Sequence, residues 1–312
     1  MEINRWLLAC GAISLVLAWG DPANDFRFCI LGDRTGDAQP GVYERVWHEL
    51  DALHPDFVIN VGDTIQGGND ATAAAEWRAL RPLWERYKYP LYFTPGNHDI
   101  WSSESRKIYE KETGRPASYG FDYQDAHFTV LDNSQTEDLS GGQMEFLARD
   151  LAAHQGRDPK FVLFHKPFWL IPVKFQSSQF PFHQLAKKYG VRFVISGHGH
   201  QFVRLIEDGI VYLEAGSSGG KLKGEGFEHG WFFGQILARV TGSKVEMTVK
   251  EIDVAPGKGR TFKAEKPKQP STQPGTSCSY SKSIPVPSRP SSPTLAVRNR
   301  SQTRAWATRL RR

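Results

Sequence analysis

The chain has 312 residues, 39% of them hydrophobic and 12% aromatic, enough for one large domain or two small ones with a sizeable core. Its formal net charge is +5, but residues 265–312 hold ten Lys/Arg against one Glu, so that segment is +9 and the remainder is −4 by subtraction. A mildly acidic body excludes a basic nucleic-acid face on the folded part. Three cysteines (Cys10, Cys29 and Cys278), each in a different kind of segment, exclude a disulfide framework and a cysteine zinc site.

Residues 1–20 read as a targeting segment. Arg5 precedes an uncharged, mostly apolar run from Trp6 to Trp19, and Ala18 and Gly20 are the small residues of a cleavage site. The expectation is an exported chain, periplasmic or secreted, with no membrane span in its mature form. Anchoring by an uncleaved N-terminal segment is the alternative.

A first strand is expected over 26–33, ending at Gly32-Asp33. Residues 40–53 place Val42, Val46, Leu50 and Leu53 at helical spacing behind a proline. A second strand covers 56–63. Helical spacing returns in 71–88 through Trp77, Leu80 and Trp84, and a third strand covers 91–96. This β-α-β-α-β order is that of a parallel sheet. Residues 117–132 read as a hairpin around Gln124-Asp125, followed by a helix from Gln143 to Ala153. A strand at 161–164, a helix at 181–189 stopped by Gly190 and a strand at 191–196 come next. Antiparallel strands at 201–206, 210–215 and in two pieces over 231–251 complete a mixed α/β domain with two sheets, over about residues 25–258. Residues 262–312, rich in Pro, Ser, Lys and Arg, read as a disordered basic tail whose partner the sequence does not identify.

Polar residues recur where the apolar runs stop: Asp33, Asp63, Asn97, His98, Asp99, His165, His198 and His200. A lone Asp after a strand is usually a turn or cap residue. Five strands delivering such residues at one end are another matter, because open α/β sheets place their ligand sites there. Carboxylates and imidazoles without thiolates suit Mn, Fe, Zn or Ni. The set is too large for one tetrahedral ion; two ions sharing a carboxylate, about 3.5–4 Å apart, would use it all. Such a pair suits phosphate esters, whose charge must be neutralised before a nucleophile can approach.

Gly32-Asp33, Gly62-Asp63, Gly96-Asn97-His98-Asp99, His165 and Gly197-His198-Gly199-His200 follow the order and rough spacing of the calcineurin-like metallophosphoesterases, which the chain resembles over about residues 26–250. The resemblance implies a four-layer α-β-β-α sandwich of two mixed β-sheets flanked by helices. It implies that Asp63 bridges two ions, that Asp33 and His200 hold the first, and that Asn97, His165 and His198 hold the second. His98 would lie outside the metal shell as general acid, oriented by Asp99, and a metal-bridging hydroxide would be the nucleophile. The substrate would be a small-molecule phosphate ester, monoester or diester.

Two positions depart from the family pattern. Thr35 stands where the first motif usually has His, and Gln66 where the second usually has Asp. Gln66 either assists the first ion through its side-chain carbonyl or turns the loop. The loss at Thr35 also supports an alternative, a non-catalytic metal-binding or docking module on the same fold; intact His98 and Asp99 argue against it. Gly216-Ser217-Ser218-Gly219-Gly220 matches GxSxG, but the glycine-rich stretch after it cannot form the helix that a nucleophilic Ser218 needs. Residues 168–182, aromatic and without acids, read either as an apolar wall beside the site or as a packed surface loop. Arg34 and Lys166 are candidates for phosphate contact or for solvated side chains.

Overall fold

A computed structural model describes residues 24–252 and 261–263. The expected targeting segment and most of the expected tail lie outside these residues.

The elements are β1 (Asp25–Leu31), α1 (Val42–Asp51), β2 (Phe57–Asn60), α2 (Asp70–Tyr87), β3 (Leu91–Phe93), α3 (Ser103–Thr113), β4 (Tyr119–Tyr123) and β5 (Ala126–Val130). They continue with α4 (Gly141–Ala153), β6 (Lys160–Leu163), α5 (Leu170–Lys174), α6 (Pro181–Lys188), β7 (Val191–Ser196) and β8 (Phe202–Glu207). The last are β9 (Ile210–Ala215), β10 (Gly234–Thr241), β11 (Lys244–Glu251) and β12 (Thr261–Lys263). Pairing of β12 with β11 carries the sheet past the expected limit at residue 258 and into the expected tail.

Two six-stranded sheets form, in the orders β12-β11-β10-β1-β2-β3 and β4-β5-β6-β7-β9-β8. β1, β2 and β3 are parallel, as are β5, β6, β7 and β9; β10 and β8 run antiparallel to their neighbours. The sequence reason is that the central strands are apolar on both faces. In β1, Phe28 and Ile30 face the opposite sheet, while Cys29 and Leu31 face α1. A strand covered on both sides gains burial from every residue.

Phenylalanines fill the space between the sheets. Phe28 stacks on Phe57 (centroids 5.0 Å apart) and meets Phe128 and Phe161 edge-on at 5.4 Å. On one outer face Tyr43, Val46, Trp47 and Leu50 of α1 cover β1 and β2, and Trp77 and Leu80 of α2 pack with Phe93 and Tyr109. On the other, α4, α5 and α6 cover β6, β7 and β9 through Leu147, Leu151, Val173 and Phe182. The result is the four-layer sandwich that the resemblance implied.

Two helices were not anticipated. α3 is polar, with mainly Tyr109 buried, and starts at a reciprocal cap between Ser102 and Ser105. α5 is one turn long and lies within 168–182, where Trp169 and Val173 are buried. Most aromatics of this stretch pack against the second sheet, while residues 171, 174–177, 179 and 181 are exposed; Ile171 and Phe175 are its exposed large hydrophobics, at 63% and 72%.

Candidate metal centre

The carboxyl ends of β1, β2, β3, β6 and β7 lie together, and each is followed within a few residues by an expected site residue. Contacts across the two sheets fix this meeting point. His165, after β6, presents Nδ1 to the Val61 carbonyl after β2 at 2.9 Å. The backbone N–H of His198, after β7, donates to both oxygens of Asp33, after β1, at 2.9 and 3.0 Å. The Gly197 amide donates to the His165 carbonyl at 2.9 Å.

Asp63, His165 and His198 each offer a donor atom, all within 4.8 Å of one another. His165 Nε2 is 3.1 Å from Asp63 Oδ2 and 3.9 Å from Asp33 Oδ2. His200 Nε2 is 3.4 Å from Asp33 Oδ2, and its Nδ1 is held 2.7 Å from the Lys221 carbonyl. The two histidines of the Gly-His-Gly-His turn therefore part: His198 joins Asp63 and His165, and His200 joins Asp33. Asn97 sits between Gly96 and His98, whose backbones lie against the Asp63 carboxylate, and its Oδ1 is buried and unpartnered.

The electrostatics are those of a cation site. Burial alone depresses the His165 imidazole, but the Asp63 carboxylate overrides it and raises it to about 10. Burial likewise opposes ionisation of Asp63, yet His165 holds its carboxyl below the usual range. The pair draws positive charge to the point where the donors meet. His198 is pushed down by burial and by His165, which leaves its lone pair available. No thiolate is present, so the donors fit hard or borderline divalent ions.

Three site residues hold a strained backbone. Asp63, His198 and His200 all hold positive φ (53°, 80° and 63°) without being glycine. Such residues cost about 1–3 kcal/mol each and persist where surrounding contacts over-determine them. Gly62 is at φ 106°, and a Cβ on it would lie 2.5 Å from His165 Nδ1, so no other residue fits against that imidazole.

The structure corrects the expected role of Asp99. Its carboxylate does not orient His98; it accepts the amides of Thr64 and Ile65 at Oδ1 and of Gly96 at Oδ2, fastening two loops together. Burial, with the Asp63 charge added, raises its carboxyl to about 7. His98 is oriented instead by the Gln66 backbone carbonyl, 2.6 Å from Nδ1. Since a carbonyl only accepts, Nδ1 carries the proton and Nε2 holds the lone pair. The Gln66 side chain is engaged elsewhere: its Oε1 accepts the Thr35 hydroxyl at 2.6 Å. The two residues that depart from the family pattern thus pair with each other.

Other candidates resolve into structural roles. Ser218 is fully buried, donates to the Gly234 carbonyl and accepts the Gly32 amide, which leaves no nucleophile. Arg34 bonds the Thr64 carbonyl at 3.1 Å, and Lys166 pairs with Glu137 at 2.9 Å. Two residues escaped sequence reasoning. Asn133 Oδ1 accepts the amides of His165 and Lys166; it closes the run TVLDN, a polar end like the others. Glu214 lies in β9, 2% exposed, with burial raising its carboxyl to about 8. A single acid inside the apolar run IVYLEA was the available clue.

A family model for calcineurin-like phosphoesterases matches residues 26–202, and the chain belongs to that family. No curated protein matches it in sequence. Among solved structures, purple acid phosphatase PPD1 from yellow lupin (Lupinus luteus) seeds is similar with a TM-score of 0.58 and 17% identity, over 78% of this chain and 54% of that one. The chain thus spans about half the length of that phosphatase. GAP50, the anchor in the inner membrane complex of Plasmodium, gives 0.53 and 16%, over 77% and 88%. A dimetal phosphatase from Danio rerio gives 0.52 and 12%, over 78% and 99%. At these identities the likeness is one of fold.

Proposed function

We propose that this chain hydrolyses phosphate esters with two divalent cations. Asp63, Asn97, His165 and His198 hold one ion, and Asp33, Asp63 and His200 hold the other. The observation that carries the reading is the convergence of Asp63, His165 and His198, beside which the buried Asn97 Oδ1 has no hydrogen-bond partner. Leaving such a group unpaired is costly, and a cation suits it and the converging donors alike. When bound, the ions neutralise phosphate charge and supply hydroxide near neutral pH.

The chain's own residues do the rest. Gln66 fixes the tautomer of His98, so that in its protonated form Nε2–H is the group presented to the leaving-group oxygen. Asp99 holds the loop of Asn97 and His98 against the loop of Asp63. The backbone amide of His98 donates to Asp63 Oδ1 at 2.9 Å and sets that carboxylate's angle. Thr35 contributes no imidazole to the first ion, and we infer that this ion is the more weakly held. Its identity is set by supply as much as by donors.

The pairing of Thr35 with Gln66 also favours a second reading, a metal-binding or docking module without catalysis. An anchor protein, GAP50, shares the fold. Metal-dependent turnover by the wild type separates the two. In Asp63→Asn hydrolysis is expected to be lost together with bound metal; metal binding in the wild type without turnover of any ester supports the module.

A further inference from the structure

The turn that carries His198 and His200 is strained at both histidines and is held from above by Asp33 on the His198 amide and by the Lys221 carbonyl on His200 Nδ1. It is also held from beneath. Glu214 of β9 pairs in register with Ser196, the last residue of β7, so its side chain starts at the foot of the turn. Its carboxylate lies close to the backbone N–H groups of Gly199 and Gln201, which favour its charged form, while the Gly199 N–H itself donates to the Gly197 carbonyl at 3.1 Å. The approach is close: a Cβ at position 199 would lie 1.9 Å from Glu214 Oε1. That contact explains why glycine separates the two histidines. Oε1 is buried and makes no hydrogen bond, an arrangement that a residue serving only to fill the core would not need.

We propose that Glu214 is a positioning residue for the metal centre. Its carboxyl group sets the height and direction of the Gly197–Gln201 backbone, and thereby aims His198 at one ion and His200 at the other. It acts through the turn backbone it packs against. The proposal rests on the reading of the two histidines as metal ligands. Removing the partners that orient ligands costs metal affinity about 10–100-fold.

The test uses the full chain as wild type, Glu214→Gln and Glu214→Leu. Glutamine keeps an acceptor of the same shape; leucine keeps volume and loses it. Hydrogen exchange of the metal-free proteins is followed at residues 197–202, and Mn²⁺ affinity is measured by calorimetry. Leucine is expected to speed exchange of the Gly199 and Gln201 amides and weaken Mn²⁺ about tenfold or more. Glutamine is expected to stay within about threefold of wild type, well short of that loss. Wild-type exchange at these amides in Glu214→Leu overturns the proposal, and so does a loss in Glu214→Gln equal to that in leucine. If the leucine variant does not fold, Gly199→Ala attacks the same contact from above. It is expected to weaken Mn²⁺ comparably, and wild-type affinity in it overturns the proposal. Should wild type bind no Mn²⁺ at all, the phosphoesterase reading fails, and the exchange rates alone decide the role of Glu214.

Discussion

Asp63 holds a left-handed backbone while its carboxylate faces His165 on one oxygen and accepts the His98 amide on the other. Asparagine at this position keeps one oxygen for the His98 amide but loses the charge and the second acceptor oxygen, so loss of metal in Asp63→Asn reads the carboxylate's role as a ligand. His98 carries a different load. His98→Ala is expected to retain both metals in calorimetry and to lose about 10²–10⁴-fold in kcat, more for esters with poor leaving groups. Loss of metal in His98→Ala contradicts its place outside the metal shell. At Gly62 the expected outcome is steric: Gly62→Ala puts a methyl against His165 Nδ1, and Mn²⁺ affinity is expected to fall at least about tenfold.

Among the elements, β5 and α4 carry a cluster remote from the metal centre in its hydrogen bonds. His127 is fully buried, with Nδ1 2.7 Å from Asp122 and Nε2 2.8 Å from Asp150, and its ring stacks on His154 at 3.8 Å. Thr129 also donates to Asp150, at 2.6 Å. Burial works against the Asp150 charge, but the hydrogen bonds from His127 and Thr129, with the charges of His127 and His154, together outweigh it, so its carboxyl is held below the ordinary value. A carboxyl depressed in the fold adds stability above its unfolded pKa, about 4, and loses it as pH falls through the folded value. His127→Ala is therefore expected to lower stability by about 2–4 kcal/mol near neutral pH and to flatten the acid limb of the stability curve. Chemical denaturation at several pH values reads both effects. An unchanged acid limb contradicts the role given to His127.

The same elements show what the sequence made legible. Strand ends were readable because an apolar run that stops at a polar residue has a physical meaning in a parallel sheet, and all eight expected site residues lie at such ends. α3 was not, since SESRKIYEKET has few apolar residues to mark a period and its capping box uses Ser105 where Glu or Gln is usual. The role of Asp99 was misjudged because sequence order suggests which side chains are close, and here the Gln66 backbone carbonyl holds His98 while Asp99 turns away to three amides. Glu214 was marked only as a lone acid in an apolar run; its role was not legible because the turn at 197–201 follows the neighbouring strand and meets it through sheet register.

For the molecule as a whole, the two sheets meet at one rim, and the candidate centre draws on both. Asp33 and Asp63 come from the first sheet; His165, His198 and His200 come from the second. Weakening the contact between the sheets is therefore expected to weaken metal binding, and bound metal is expected to raise the melting temperature with the logarithm of its concentration over Kd. Among the described residues no helix is long and apolar enough to cross a membrane. The measurement that bears most directly on the central claim is hydrolysis by the full chain, stripped of metal and then supplied with Mn²⁺, with an aryl phosphate monoester and an aryl diester side by side. Metal-dependent phosphoester hydrolysis predicts no turnover before addition and turnover after it, with the ratio of the two esters narrowing the substrate. No turnover of either ester, with Mn²⁺ shown to be bound, contradicts catalysis and leaves Thr35 and its hydrogen bond to Gln66 as the change to reverse first.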